Sequence, residues 1–519
     1  MATRVLFRAV HVARGPNSDV LNFAKTITAL AEEAHLVQHV RSFSVGYIDR
    51  QFAPAANRAV QDLLVEMPLL EAFRCACPIL PETVRILHRS CRRLKSLSLD
   101  FERMEDSVLD FMEDNPNKQT LEARRLFTIP DLTVFADMDL EELSLLHLFG
   151  DVGRWRDQIV TVLKSSPNLK RLALSLSADA ISHLYSDQQS DKYWGWFESL
   201  CTGYIDDDDM DATQLSPPPL RLRSLFCGTA VFPNDDELLE QFIDLTSLEE
   251  VLIDNRDIWN DHNSTQMMIV YGEDDESDIV FEPFVNAPNL RRLKVTNYAG
   301  DVHRAFCSIQ NPDRVRQIAI SCRESGEGYE PAGLLRPDSR YPALPLQPRM
   351  LGIDLDRKHD NILLFDEDGE EDYNVPSADE VLHSLVNGDE GTIEGLVLYL
   401  PAANRPDDDD PPTLEGQLAL LARYLPRLTN LSQLCIHGRG YNVDDGYTDV
   451  AGRLALAIPS LRYINVRMSK QAKDKNYRRI IRQSQNPGVT LVELEGKTEN
   501  ETVELYRMSL HERMSVYGP

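Results

Sequence analysis

Leu94-Lys95-Ser96-Leu97-Ser98-Leu99 carries the pattern of this chain: an apolar residue, two variable ones, an apolar, one variable, an apolar. The phrase returns as Leu169-Lys-Arg-Leu172-Ala-Leu174, as Leu290-Arg-Arg-Leu293-Lys-Val295 and as Leu431-Ser-Gln-Leu434-Cys-Ile436. Its second half alternates apolar and variable positions, the period of a strand with one buried face. Further copies open at Val40, Leu70, Leu140, Leu222, Leu248, Val315, Met350, Ile393, Leu461 and Val489. The tightest spacings between openings are 24 to 30 residues, and self-similarity at such a period decides the fold.

Between the phrases the apolar period lengthens to about 3.6, the signature of helix. Residues 18–34, 57–66, 80–90, 156–164, 235–243, 378–386, 413–424 and 448–457 read this way. Strand and helix therefore alternate, which predicts parallel strands with helices on one side. A lone strand–helix unit cannot cover its apolar face, so the units stack and share one core. The reading is an α/β leucine-rich-repeat solenoid, with strands on the concave face and helices outside. A capping strand and helix at 1–35 precede the repeats at 36–498, and residues 499–519 form a C-terminal helix or tail. Insertions near 177–219, 257–283, 323–348, 356–377 and 401–412 explain the longer intervals.

The net charge of −29 is concentrated in part of those insertions. Residues 206–211, 273–278, 366–372 and 407–410 hold 20 acidic residues with neither Lys nor Arg, and without them the balance is −9. Such a surface repels a phosphate backbone, which argues against nucleic acid as the main partner. The eight Cys form no CxxC pair and no disulfide framework, pointing to reduced thiols and a cytoplasmic or nuclear protein. No apolar run is long enough to span a membrane.

The variable positions of the phrase face away from the core and are the candidate partner-binding residues. They are Ser96, Ser98, Asp100, Arg171, Ser175, Arg292, Lys294, Thr296, Gln433, His437, Tyr463, Asn465 and Arg467. Trp194 and Trp196 stand close together and are a candidate surface anchor, or else a buried pair in a helical insertion. No catalytic, cofactor-binding or metal-ligating set emerges. Gly496-Lys497-Thr498 lacks the upstream glycine of a phosphate loop, and His35 and His39 lack the glutamate of a zinc-protease helix.

The Pro-Asn-Leu-x-x-Leu openings at Pro167 and Pro288, with Ala2 to Val12 and Leu36 to Val45, resemble fungal F-box/leucine-rich-repeat proteins. The resemblance implies a ribonuclease-inhibitor-like horseshoe that selects substrates for a cullin ubiquitin ligase. Residues resembling the F-box itself are absent from this chain. The Skp adaptor and cullin enter only if that module is supplied upstream. Other readings are a free-standing scaffold and, more remotely, a GTPase-activating leucine-rich-repeat protein.

Overall fold

A computed structural model of the chain describes residues 8–12, 27, 29–30, 32–46, 53–76, 79–101, 129–177, 196–205, 217–228, 236–254, 284, 287–298, 314–322, 349–354, 378–388, 392–400, 413–438, 447–467, 477–482 and 489–494. The chain divides into two compact units, residues 1–288 with 519 and residues 289–518.

In the first unit the described strands are β1 (Ala9–Val12), β2 (Ser42–Val45), β3 (Ala72–Cys75), β4 (Ser96–Asp100), β5 (Glu142–Leu148), β6 (Arg171–Leu176), β7 (Ser224–Gly228) and β8 (Glu250–Asp254). They lie in chain order, each parallel to its neighbours. Parallel neighbours need crossovers. The helices here are α1 (Ala34–Val37), α2 (Ala53–Val65), α3 (Pro81–Ser90), α4 (Val152–Lys164), α5 (Trp196–Ile205) and α6 (Asp236–Phe242).

The second unit holds β9 (Arg292–Tyr298), β10 (Gln317–Cys322), β11 (Met350–Asp354), β12 (Gly395–Tyr399), β13 (Gln433–His437), β14 (Tyr463–Arg467), β15 (Arg478–Arg482) and β16 (Val489–Glu493). Its described helices are α7 (Ala378–Gly388), α8 (Leu414–Tyr424) and α9 (Tyr447–Ala457). β9 to β14 are parallel, whereas β15 and β16 run antiparallel. Both units are thus α/β repeat arrays.

Each repeat uses its phrase in the same way. The opening apolar residue is buried, as at Val40, Leu94, Leu169, Leu290, Leu431 and Leu461. The next two apolar positions are buried too, as with Leu97 and Leu99 or Leu434 and Ile436. In the second unit, Leu396, Leu434 and Ile464 from strands join Leu385, Leu421 and Leu454 from helices in one core. Each such side chain contributes roughly 1.5–3 kcal/mol of burial.

The residue after the opening apolar position has a second task. Its carbonyl accepts two backbone N–H groups from the following repeat. Glu71 O takes Lys95 N and Ser96 N at 2.8 and 3.0 Å, and Glu394 O takes Ser432 N and Gln433 N at the same distances. This shared carbonyl recurs in both units and sets the register of each strand before its ladder begins.

Helix ends are capped locally. Asp151 Oδ1 accepts Arg154 N at the start of α4, and Thr413 Oγ1 accepts Gly416 N at the start of α8, both at 3.1 Å. Helix α3 opens on Pro81 and takes its cap from α2: buried Asn57 accepts both Leu80 N at 2.9 Å and Thr83 Oγ1 at 2.8 Å.

Two expectations from the repeat pattern are corrected. Met350 is not an opening residue. Leu351 and Ile353 pair with Ile318 and Ile320, so Met350 takes the position that Ser96 holds in β4, and the phrase begins two residues earlier. The phrase at Val489 is not a parallel repeat. β16 pairs antiparallel with β15, which the phrase did not reveal. A hairpin here replaces the crossover that another repeat needs. Of the helix expected at 18–34 and the tail at 499–519, most of the first and all of the second lie outside the described residues.

Candidate functional site

Alternation along β3 to β6 brings a polar group together on the face opposite the core. Parallel register places Arg74, Ser98, Ser144 and Ala173 in one row across β3, β4, β5 and β6. Ser96, Glu142 and Arg171 form the row before it. Within that first row Ser96 Oγ donates to Glu142 Oε2 at 2.9 Å, and Glu142 Oε1 meets Arg171 Nη1 at 3.1 Å.

The regular ladder breaks beside these rows. Leu145 pairs with Leu174, but Leu148 pairs with Leu176, so β5 carries one extra residue. Such a bulge bends a strand and redirects a side chain. Within it His147 has φ of 51°, the one positive φ among the described non-glycine residues. That conformation is costly for a residue with a Cβ and needs support. Two bonds supply it: His147 N–H donates to Ser175 Oγ at 2.8 Å, and His147 Nδ1 lies 2.8 Å from Asp100 Oδ1. His147 is 8% exposed. The serine that meets this histidine binds its main chain, not its ring.

Arg74 completes the group. Burial pushes its guanidinium below the ordinary range, and the Asp100 charge partly offsets that. Ser144, 6% exposed, has a buried hydroxyl with no hydrogen-bond partner. A buried hydroxyl without a partner costs free energy. The face thus offers donors and both signs of charge within a few residues.

In the second unit, register aligns Gln433 with Tyr463, Cys435 with Asn465 and His437 with Arg467. Cys435 Sγ lies 3.3 Å from His437 Nε2. Burial separates these residues. Gln433, Tyr463 and Arg467 are half-buried, whereas His437 and Asn465 are buried. Arg292, Lys294 and Thr296 lie in β9, with Lys294 paired to Ala319 of β10.

Three expected contact residues, Ser175, His437 and Asn465, are therefore buried. Ser175 on β6 holds the His147 main chain on β5, whereas His437 contacts Cys435 within its own strand, β13. Ser96, Ser98, Asp100 and Arg171 stay half-buried or exposed. Trp196 is not a surface anchor. It is 6% exposed, and its Nε1 donates to Val152 O at 3.0 Å. It opens α5, in which Phe197 and Tyr204 pack edge-on against Phe242. Trp194 lies outside the described residues.

No protein-family model matches this chain, and no curated protein matches it significantly. Among solved structures it is similar to that of the Rad7 and Elc1 complex in yeast, at 13% identity and a TM-score of 0.33, over 90% of this chain and 87% of the other. It is also similar to a protein from Bacteroides fragilis, at 12% identity and a TM-score of 0.27, over 87% and 85% of the two chains. For the TLR13–ssRNA13 complex the values are 13% and 0.28, over 90% and 55%. Similarity this distant bears on neither family nor function.

Among the described residues no cluster of three or more His, Cys, Asp or Glu is placed to hold a metal ion, and no helix is long and apolar enough to cross a membrane. Cys75, Cys91, Cys201, Cys227 and Cys435 are buried. Cys91 Sγ faces Leu64 O and Met67 O at 3.7 and 3.6 Å, and burial pushes its thiol up to about 12.

Arg74, Ser144 and His147 were not singled out by the sequence. Arg74 was legible, because it holds the same place after Leu70 that Ser98 holds after Leu94. His147 also left a signal: Leu145-Leu-His-Leu148 breaks the strict alternation where the bulge occurs.

Proposed function

We propose that this chain is a noncatalytic repeat protein that binds another protein through the polar face of its strands. In the first unit the contact surface centres on Arg74, Ser96, Ser98, Asp100 and Arg171, with buried His147 bracing Asp100 beneath it. In the second it includes Gln433, Tyr463 and Arg467, with Arg292, Lys294 and Thr296 on β9. The observation that carries this reading is the strained His147, held at a positive φ by Asp100 and Ser175. A costly conformation braced on a varied surface supports a role in recognition.

The finer reading is substrate recognition for a cullin ubiquitin ligase, with the Skp adaptor joining through an F-box supplied upstream. The resemblance around Pro167, Pro288 and residues 2–12 and 36–45 supports it. A ribonuclease-inhibitor-like horseshoe and a cytoplasmic or nuclear location belong to the same reading.

The test is a photo-crosslinking amino acid placed at Arg171, with Arg85 on α3 as the comparison, in the native cells. Partner adducts from position 171 and not from 85 support the face. The opposite pattern overturns it. Skp adaptor and cullin among the captured proteins separate the ligase reading from a free-standing scaffold.

A further inference from the structure

The shared-carbonyl residues form a ladder at the strand starts within each unit. Because each of those carbonyls takes two N–H groups of the next repeat, successive rungs stand one strand spacing apart, about 4.8 Å. In the first unit the signs largely alternate and the rungs pair with each other. Arg41 Nη1 meets Glu71 Oε1 at 2.9 Å. Lys95 and Lys170 both donate to Glu141.

The second unit opens its ladder differently, with three consecutive arginines: Arg291, Arg316 and Arg349. Arg316 N and Gln317 N donate to Arg291 O at 2.9 and 3.1 Å, and Arg349 N and Met350 N donate to Arg316 O, each at 3.1 Å. Arg291 and Arg316 are exposed. Exposed Arg314 stands beside them and donates to Asn289 Oδ1 at 2.5 Å. The fourth rung, Glu394, shows what this edge can grip: Arg349 forks onto its carboxylate through Nε at 2.9 Å and Nη2 at 2.5 Å. Paired N–H donors on one carboxylate are the strong and geometrically specific form of this contact.

We propose that the edge formed by Arg291, Arg314 and Arg316 is a second docking surface, for an acidic peptide segment of a partner protein. The positive run lies on a chain of net charge −29. A long phosphate backbone is repelled by the rest of that surface, whereas a short run of carboxylates meets only the local guanidinium row. The Arg349–Glu394 fork displays the bond that the partner's Glu and Asp side chains make with the neighbouring rungs. This surface lies at the strand starts and stands independently of the polar face.

The experiment is fluorescence anisotropy of a labelled polyglutamate peptide titrated with the full chain, repeated at rising salt. We expect saturable, salt-sensitive binding. It weakens on the order of tenfold in Arg291→Glu/Arg316→Glu and less in Arg291→Gln/Arg316→Gln. The milder pair guards against loss of folding, which circular dichroism checks. Arg85→Glu on α3 leaves binding unchanged. Three results overturn the proposal: affinity that survives both double substitutions, tighter binding of a single-stranded oligonucleotide than of the peptide, and binding that appears only after the acidic residues at 273–278 and 366–372 are replaced by serine. The last result assigns the edge to the chain's own acidic runs.

Discussion

Ser175 shows how one hydroxyl can govern the candidate site. Its Oγ accepts the His147 N–H at 2.8 Å, and both residues are buried. Ser175→Ala leaves that N–H with no acceptor at a residue already held at positive φ. We expect a loss of about 1–3 kcal/mol, measured by urea unfolding, together with weaker crosslinking from position 171. Alternation placed Ser96, Ser98, Asp100 and Arg171 outside the core, where they are half-buried or exposed, because a strand's side chains alternate between its two faces. It could not place Ser175, His437 or Asn465 as buried. Ser175 packs against His147 of the neighbouring strand, and one strand's pattern carries no information on its neighbour's side chains.

Two predictions belong to the elements. The β15 strand ends on Arg482, whose guanidinium closes the end of α9. Its Nη1 donates to Leu461 O at 2.6 Å, and its Nη2 donates to Ala455 O and Ile458 O, each at 2.7 Å. Helix ends leave carbonyls without intrahelical partners, and burial here holds the guanidinium below its ordinary range. Arg482→Ala removes all three bonds. We expect a loss of about 1.5–3 kcal/mol and faster hydrogen exchange confined to α9 and the β15–β16 hairpin. The second prediction concerns the strand ladder. Lys170 and Lys95 donate to Glu141 and hold its carboxyl at about 2, below the ordinary 4.5. A lowered folded value means that this contribution is full above the ordinary range and is lost as pH falls toward about 2. Because the group is largely solvated, we expect only a few tenths of a kcal/mol, diminished by salt. Urea midpoints of Glu141→Gln and the parent chain, compared from neutral to acid pH, should converge at the acid end.

At the scale of the whole molecule, repeat arrays spread damage to nearest neighbours only. Leu434 sits in the second unit's core between Leu396 and Ile464 in register. Leu434→Ala should cost about 2–5 kcal/mol. Hydrogen exchange should rise in β12, β13 and β14 and stay unchanged in β3 to β6. A response spread evenly over all strands would contradict the repeat description. The repeat architecture was legible because apolar spacing is a local property, recurring from Val40 to Leu461. Met350 misled because it is itself apolar and lies next to the true core residue Leu351. Val489 misled because its apolar spacing matches the phrase while its partner strand runs the other way. The division at residue 288 had no local mark.

The shared carbonyl also explains how a chain with such uneven intervals keeps its strands in step. A slip of one residue would turn Leu97 and Leu99 outward and Ser98 inward. Two bonds to one oxygen, made just before each strand, reset the count regardless of how many residues came between. Leu70 and Leu94 are 24 residues apart and Leu169 and Leu222 are 53, yet both intervals end on the same pair of N–H groups. Length can then be gained or lost between repeats without an error being handed on to the next strand, so the connecting segments are free to diverge while the scaffold holds its phase.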